Sequence, residues 1–387
     1  MLHATENLEA AFARWSRSGK LERDWLPAAG VIGTGFGRGS LLLALNVLDA
    51  RGGEVLLPNF ICRQVVEAVE RAGAQPVFYP IGRDLSPQLP ELSARLSGRE
   101  AAVILPHLYG CALSKTKEIM RLARARQVPV IEDCAQAWGA RLDGQPVGTL
   151  GDLAAFSLTK SDWNFGGGLL AIADAQQVHR ARELALALCD DPRGAARYGI
   201  LRLADYVANR PRWCRLSALA GSRLERMMRW ASARGRDVQA HTQNFYDLGR
   251  FDSKMSAMAS RRGLKLLKRL ERDLCRRREK ASQIVAQLAS CPGRPRLVRP
   301  ETFEESNWAY LLFDISETGK GLEDWIRAAE RRGITLRPTW PFFQEPLEPQ
   351  KSKDLDWLAE NLLVLEIHPR LTRGEVRRIT DFLDEGL

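Results

Sequence analysis

Two acids and a lysine, each placed just past an apolar run, are the residues of this chain best suited to chemistry. Val128–Ile131 leads into Glu132-Asp133, and Leu153–Ser157 leads into Thr159-Lys160. A lysine at the end of one strand and a carboxylate at the end of another suit Schiff-base chemistry on an aldehyde cofactor. The amine holds the aldehyde, and the acid keeps a ring nitrogen protonated, which is what pyridoxal 5'-phosphate requires. Lys160 is flanked by an apolar strand and by Gly166-Gly167-Gly168. A desolvated lysine gives up its proton more readily than a solvated one. Such a cofactor also needs a phosphate anchor. GTGFGRGSLLLAL, from Gly33, runs from a glycine-rich loop into an apolar helix expected to begin at Ser40. Exposed amides at a helix N-terminus bind phosphate well. No Gly-Lys-Ser/Thr closes this loop, and its spacing misses the dinucleotide Gly-x-Gly-x-x-Gly pattern.

Each of these features has a plainer reading. Glycines after a strand make a tight turn, and Asp133 is a helix N-cap if CAQAWGA starts a helix. Most lysines are solvated surface groups. His107, closing AAVILP, reads by itself as a hydrogen-bonded packing residue before a catalytic one. Gln136, three residues past Asp133, is placed to donate to a phenolic ring oxygen, and Ser157 to bond a phosphate. His107, Asn164 and Arg337 are further candidates for contact with substrate or for support of the site.

The elements that would position these residues alternate. Strands are expected at Gly30–Gly33, Glu54–Leu57, Gln75–Tyr79, Ala101–Leu105, Val128–Glu132, Leu153–Ser157 and Leu169–Ala173. Helices fit between them at Ser40–Asp49, Arg63–Ala72 and Lys115–Arg126. The pattern predicts an α/β fold, a mainly parallel sheet with helices on both faces. Ligands of such sheets bind at the carboxyl ends of strands, where the Gly35–Gly39 loop, His107, Asp133 and Lys160 all fall. Residues 1–250 are expected to form this large domain, with a basic helical insertion at about 175–250. Residues 251–387 are expected to form a smaller α+β domain. It would hold a long helix over Met255–Leu288, strands at Trp308–Asp314 and Leu362–Glu366, and helices at Leu322–Arg332 and Arg373–Leu383.

The chain's 387 residues, 45% apolar and 27% charged, suit a soluble globular protein with a sizeable core. No apolar run reaches the roughly 18 residues of a membrane span, and no signal peptide is evident at the N-terminus. Seven scattered cysteines (62, 111, 134, 189, 214, 275, 291) with no Cys-x-x-Cys pair predict reduced thiols, a cytoplasmic location and no metal centre. Eight arginines against the single acid Glu225 lie between Arg210 and Arg236, within a net charge of +10. Either they form a solvated face or they meet an anionic surface or phosphorylated substrate. No nucleic-acid motif accompanies them.

Taken together, the Gly37-Arg38-Gly39-Ser40 turn, EVLLPNFICRQVVEAVERAGAQPVF, ILPHLYG, VIEDCAQAWGA, GDLAAFSLTK, the glycine triplet and LAENLLVLEIHPRLT resemble the DegT/StrS nucleotide-sugar aminotransferases. These are fold-type I pyridoxal phosphate enzymes. The resemblance implies that Lys160 binds the cofactor covalently, Asp133 meets the ring nitrogen and Gln136 the ring oxygen. Arg38, Gly39 and Ser157 would hold the phosphate. It also implies a homodimer that moves an amino group from glutamate or glutamine to a keto nucleotide-sugar. Four departures stand out. Cys62, with Phe60 nearby, occupies the place of an aromatic residue that stacks on the ring. The interval from Ser157 to Lys160 is short. Asp252 stands where relatives offer an asparagine to the partner's phosphate. The 175–250 segment is longer and more basic than usual. The dehydratase variant of the family replaces the lysine with histidine, so Lys160 argues against it. The alternatives are a pyridoxal phosphate enzyme acting on a non-sugar substrate, and a catalytically lapsed homologue with a binding role.

Overall fold

A computed structural model describes residues 29–160, 162, 164–208, 250–288, 293–339 and 351–386. The arginine-rich stretch 210–236 lies outside them. A seven-stranded sheet is built from β1 (Gly30–Thr34), β2 (Glu54–Pro58), β3 (Gln75–Tyr79), β4 (Ala102–Pro106), β5 (Val130–Asp133), β8 (Leu153–Ser157) and β9 (Gly168–Ile172). Its order is β1-β9-β8-β5-β4-β2-β3. A small hairpin, β6 (Arg141–Leu142) and β7 (Gln145–Pro146), lies apart from it. The run from β8 to β3 is parallel throughout. Only β9 is reversed, pairing antiparallel with both β8 and β1. Because β9 reverses direction twice over, β1 points the same way as β8. The glycine loop after β1 therefore meets the end of β8.

Side chains alternate across the strands, so neighbouring residues feed opposite layers. Leu57, Ile104, Ile131 and Ala155 face α1 (Gly37–Val47), α2 (Arg63–Arg71) and α5 (Ala175–Leu186). On the other face Leu56, Val103 and Val130 meet α4 (Thr116–Ala125), while Ala154, Phe156 and Leu169 meet α7 (Ala257–Gln287). The short α3 (Leu89–Arg95) and α6 (Pro192–Ala208), whose Tyr198 meets Phe36 edge-on at 5.0 Å, complete this part. Burying both faces is what makes the strands continuously apolar.

A second sheet, ordered β10-β11-β13-β12, is formed by β10 (Arg296–Val298), β11 (Tyr310–Asp314), β12 (Leu336–Pro338) and β13 (Leu362–Glu366). All its pairs are antiparallel. Phe313 and Leu365 pack on Trp325 of α8 (Leu322–Arg331) and Phe382 of α10 (Arg373–Glu385). Its other face, through Tyr310, Leu312 and Val364, joins Leu358 of α9 (Lys353–Asn361) and the large sheet's core. The 31 residues of α7 link the two layers: Ala259, Leu267 and Leu270 lie under the large sheet, and Ala281 and Ile284 lie in the small one.

Candidate active site

β5 and β8 are parallel neighbours, with Asp133 opposite Ala155. Asp133 and the turn carrying Lys160 therefore leave the sheet at one end. Asp133 is buried. Its carboxyl sits above the usual aspartate range because burial disfavours the anion, against the opposing pull of the Ala135 N–H and the charges of His107 and Lys160. No helix starts after Asp133, so the N-cap alternative is not realised. One oxygen, Oδ1, accepts the Ala135 N–H at 3.0 Å. Lys160 is half-buried, and its charge acts on Cys62 and Tyr310 as well as Asp133.

The glycine loop becomes helix sooner than the sequence suggests. α1 starts at Gly37 rather than Ser40, because the Gly39 and Ser40 amides already close onto the Phe36 carbonyl at 2.9 and 3.1 Å. Phe36, at the N-cap, gives the first turn no side-chain acceptor, so the leading N–H groups belong to Gly37 and Arg38. The turn lies directly on β8. A Cβ at Gly37 would stand 3.0 Å from Ser157 Cβ, and one at Gly39 would stand 2.5 Å from the Phe251 carbonyl oxygen. The Gly167 N–H donates to the Gly35 carbonyl, so the glycine triplet and the glycine loop form one structure. Ser157 Oγ and Thr159 Oγ1, 3.0 Å apart, line the same turn. The Arg38 guanidinium stacks on Phe36 and Phe251 at 4.6 and 5.0 Å and donates to Gln64 Oε1 at 2.9 Å.

Gln136 is buried and locked. Its Oε1 accepts the Tyr109 N–H at 3.0 Å, and its backbone carbonyl accepts from Asn307 Nδ2 at 2.7 Å. The side-chain amide NH2 is thus its remaining donor. Tyr109 has a left-handed backbone (φ 49°), and its ring meets Tyr310 edge-on at 6.0 Å. Burial pushes the Tyr310 phenol up to about 12, with Glu366 adding to the shift and Lys160 opposing it. Tyr109, Asn307 and Tyr310 gave no sequence signal. Asn307 reaches Gln136 across 171 residues, and the side chain is admitted because Gly110 has no Cβ, which would fall 2.1 Å from Asn307 Oδ1.

The polar atoms of His107 and Asn164 are engaged by the surrounding fold. Both ring nitrogens of His107 are engaged: Nδ1 accepts the Leu113 N–H at 3.0 Å, which leaves Nε2 to donate to Glu132 at 2.9 Å. Glu132 also accepts from the amides of Gly148, Leu150 and Gly151. Burial alone would raise this carboxyl. The hydrogen bond from His107, with the Gly151 and Gly148 N–H groups, holds it below the usual range. His107, Glu132 and Cys134 come close enough to suggest a metal. The hydrogen bonds on His107 and Glu132 account for that grouping instead. Asn164, a candidate for substrate contact or for support of the site, is fully buried, donating to the Ala259 carbonyl and accepting the Phe165 N–H. Phe60 lies wholly in the core, whereas Cys62, at the start of α2, is within the charge field of Lys160 and Asp133. Arg337 stands on β12, 4.0 Å from Glu366, and its charge acts on Tyr310. Asp252 does not project a bare charge: Arg250 holds it bidentately at 2.9 and 2.8 Å.

A profile of the DegT/DnrJ/EryC1/StrS aminotransferase family matches residues 20–384. The chain belongs to this family. It is 36% identical, over 185 residues, to a UDP-N-acetyl-3-dehydro-alpha-D-glucosamine 3-aminotransferase of Acidithiobacillus ferrooxidans; the match covers 46% of the chain and half of that relative's length. It is 26% identical over 353 residues to a dTDP-4-dehydro-2,3,6-trideoxy-D-glucose 4-aminotransferase of Saccharopolyspora spinosa, covering 89% of the chain and 81% of the relative. Its fold matches the aminotransferase TlmJ of Streptoalloteichus hindustanus with a TM-score of 0.71 at 23% identity, over 99% of this family member and 90% of that protein. Among the described residues no helix is long and apolar enough to cross a membrane.

Proposed function

We propose that this protein is a pyridoxal phosphate-dependent aminotransferase that moves an amino group from glutamate or glutamine to a keto sugar carried on a nucleotide. We place it in the cytoplasm as a homodimer serving polysaccharide biosynthesis. The observation that carries this reading is the convergence of Asp133, Lys160 and the Gly37–Ser157 contact at one end of adjacent strands. The residues fit the cofactor. The first turn of α1 offers amides without a capping side chain, and the buried Asp133 suits a cationic ring partner.

When bound, pyridoxal phosphate supplies an aldehyde carbon to carry the amino group and a ring that takes up the electrons of the donor's α-carbon. Lys160 would hold it covalently and, once displaced by the donor amine, move the proton from the donor's α-carbon. Asp133 would keep a proton on the ring nitrogen. Gln136 would donate its amide NH2 to the ring oxygen, and Cys62 would lie against the ring. Ser157 and the Gly37 and Arg38 amides would hold the phosphate, with Gly39 keeping the turn narrow. Arg337 remains a candidate for substrate contact. The nucleotide-sugar acceptor is supported by the activities named for the two relatives. Purified protein incubated with glutamate and a panel of keto-sugar nucleotides should convert one of them to an amino sugar, with 2-oxoglutarate formed in step. No conversion of any panel member, alongside turnover of a non-sugar ketone, would reject the acceptor. Light scattering should return the mass of two chains.

A further inference from the structure

Asn307 ties the small sheet to the turn that carries Gln136. It is buried in the lead into β11, and its side-chain Nδ2 donates to the carbonyls of Gln136 at 2.7 Å and Trp138 at 3.2 Å. Its Oδ1 accepts the Ala309 N–H at 3.0 Å, an Asx turn that fixes the direction of the side chain. Its backbone N–H donates to the Gly110 carbonyl at 2.8 Å. Gly110 follows Tyr109, whose N–H holds Gln136 Oε1 at 3.0 Å. Asn307 therefore grips the main chain of Gln136 and also the residue beside the donor that orients its side chain. Tyr109 and Gly110 are consecutive left-handed residues, with φ 49° and 83°. A tyrosine leaves that region unless its surroundings hold it there, so the aim of the Tyr109 N–H depends on how Gly110 is held. The same lead-in is seated by Thr302, whose Oγ1 donates to the Ala112 carbonyl at 2.6 Å, and by Glu305, whose Oε1 accepts the Gly144 N–H at 3.0 Å.

We propose that Asn307 is a positioning residue for the cofactor ring, fixing Gln136 so that its amide NH2 meets the ring oxygen. The inference rests on the aminotransferase reading, which places Gln136 at that oxygen. With Oε1 committed to the Tyr109 N–H, the amide plane is set and the NH2 points away from Tyr109. The grip of Asn307 on the Gln136 carbonyl then sets where that NH2 arrives. Hydrogen bonds weaken steeply with angle and distance, so a slightly misplaced donor loses most of its effect. A donor on the ring oxygen draws electron density from it and weakens its hold on the proton of the neighbouring Lys160 nitrogen. Losing the donor strengthens that hold, and the nitrogen keeps its proton to higher pH. Asn307 enters the small sheet and Gln136 leaves the large one, so the seating of one sheet on the other bears on the ring's protonation.

The test is a pH titration of the visible absorption band of the cofactor-loaded protein, with a melting curve for each variant. Gln136→Ala should raise the midpoint by about half to one pH unit, the effect of losing one hydrogen bond. Asn307→Ala should raise it in the same direction by a similar amount. The double variant should shift no further than Gln136→Ala alone, because both changes remove the same contact. A lowered melting temperature in Asn307→Ala with the midpoint of the parent chain would mark a brace without a positioning role and overturn the proposal. Shifts that add in the double variant also overturn it, since Asn307 would then act by a route other than Gln136. If Asn307→Ala does not fold, Asn307→Ser is read in the same way; its hydroxyl can keep the Ala309 N–H but is too short to hold both carbonyls. A midpoint unchanged in Gln136→Ala removes Gln136 from the ring oxygen and overturns the proposal, while turnover of keto-sugar nucleotides judges the aminotransferase reading separately. A parent chain that takes up no cofactor overturns both.

Discussion

Replacing Asp133 with asparagine separates charge from shape. Asp133 Oδ1 already takes the Ala135 N–H at 3.0 Å, and an asparagine oxygen can keep that bond. What is lost is the negative charge on the other oxygen, which would face the protonated ring nitrogen of the cofactor. A charge-assisted hydrogen bond is worth about 1.5–3 kcal/mol. At 1.36 kcal/mol per tenfold, the cofactor should bind about 10- to 150-fold more weakly. Turnover should fall further, because an unprotonated ring takes up electrons poorly. The cofactor-free protein should behave in the opposite way. Burial raises this carboxyl in the folded chain, so folding favours its protonated form. The stability it contributes is complete below the unfolded value of about 3.9 and is lost as pH rises through the raised folded value. Melting curves of cofactor-free protein across that window should therefore decline less steeply for Asp133→Asn than for the parent chain. Cofactor affinity comes from equilibrium titration and activity from glutamate-dependent turnover. A variant that binds cofactor and turns over like the parent would refute the pairing of Asp133 with the ring.

Lys160→Ala should fold normally but lose turnover. Borohydride reduction of the parent protein followed by mass spectrometry should place the cofactor on Lys160, and labelling of another lysine would rule the assignment out. Gly39→Ala should lower the melting temperature and weaken cofactor binding, since its Cβ would meet the Phe251 carbonyl oxygen at 2.5 Å; overpacking of this kind costs about 1–3 kcal/mol. An unchanged melting curve would mean that the loop relaxes freely. Glu132→Gln should destabilise the chain by about 3 kcal/mol, because an amide NH2 would face the donors that Glu132 now satisfies. The folded Glu132 carboxyl lies below its usual range, so its contribution is present above the unfolded value and lost as pH falls through the folded one. Denaturant unfolding at neutral and acid pH should show the Gln variant converging on the parent in acid.

Much of the large domain was legible because both faces of its sheet are covered. Leu153–Ser157 and Leu362–Glu366 match their expected bounds, since strands buried on both sides read as apolar runs; the edge strand Gln75–Tyr79 matches too, although its first three residues are exposed or half-buried. Strand-end chemistry was legible for the same reason: Asp133 and the turn carrying Lys160 leave the sheet at one end. Local pattern failed where a residue's role depends on distant partners. For His107 and Asn164 the sequence left substrate contact and support of the site both open, and only the fold supplies their partners Glu132, Leu113, Ala259 and Phe165. Asn307 and Tyr310 carry no motif, because their contacts with the site arise only when the small sheet folds back over the strand ends. The short strands β10 and β12 were missed: three residues are too few to show a period.

The 31-residue α7 also constrains how the molecule can move. Its rise of 1.5 Å per residue makes it a rod of about 46 Å. It is embedded at one end under the large sheet and at the other in the small one. A rod seated in two cores resists a hinge at its middle, so a swing of one layer against the other must be absorbed beyond its ends or by sliding along its flanks.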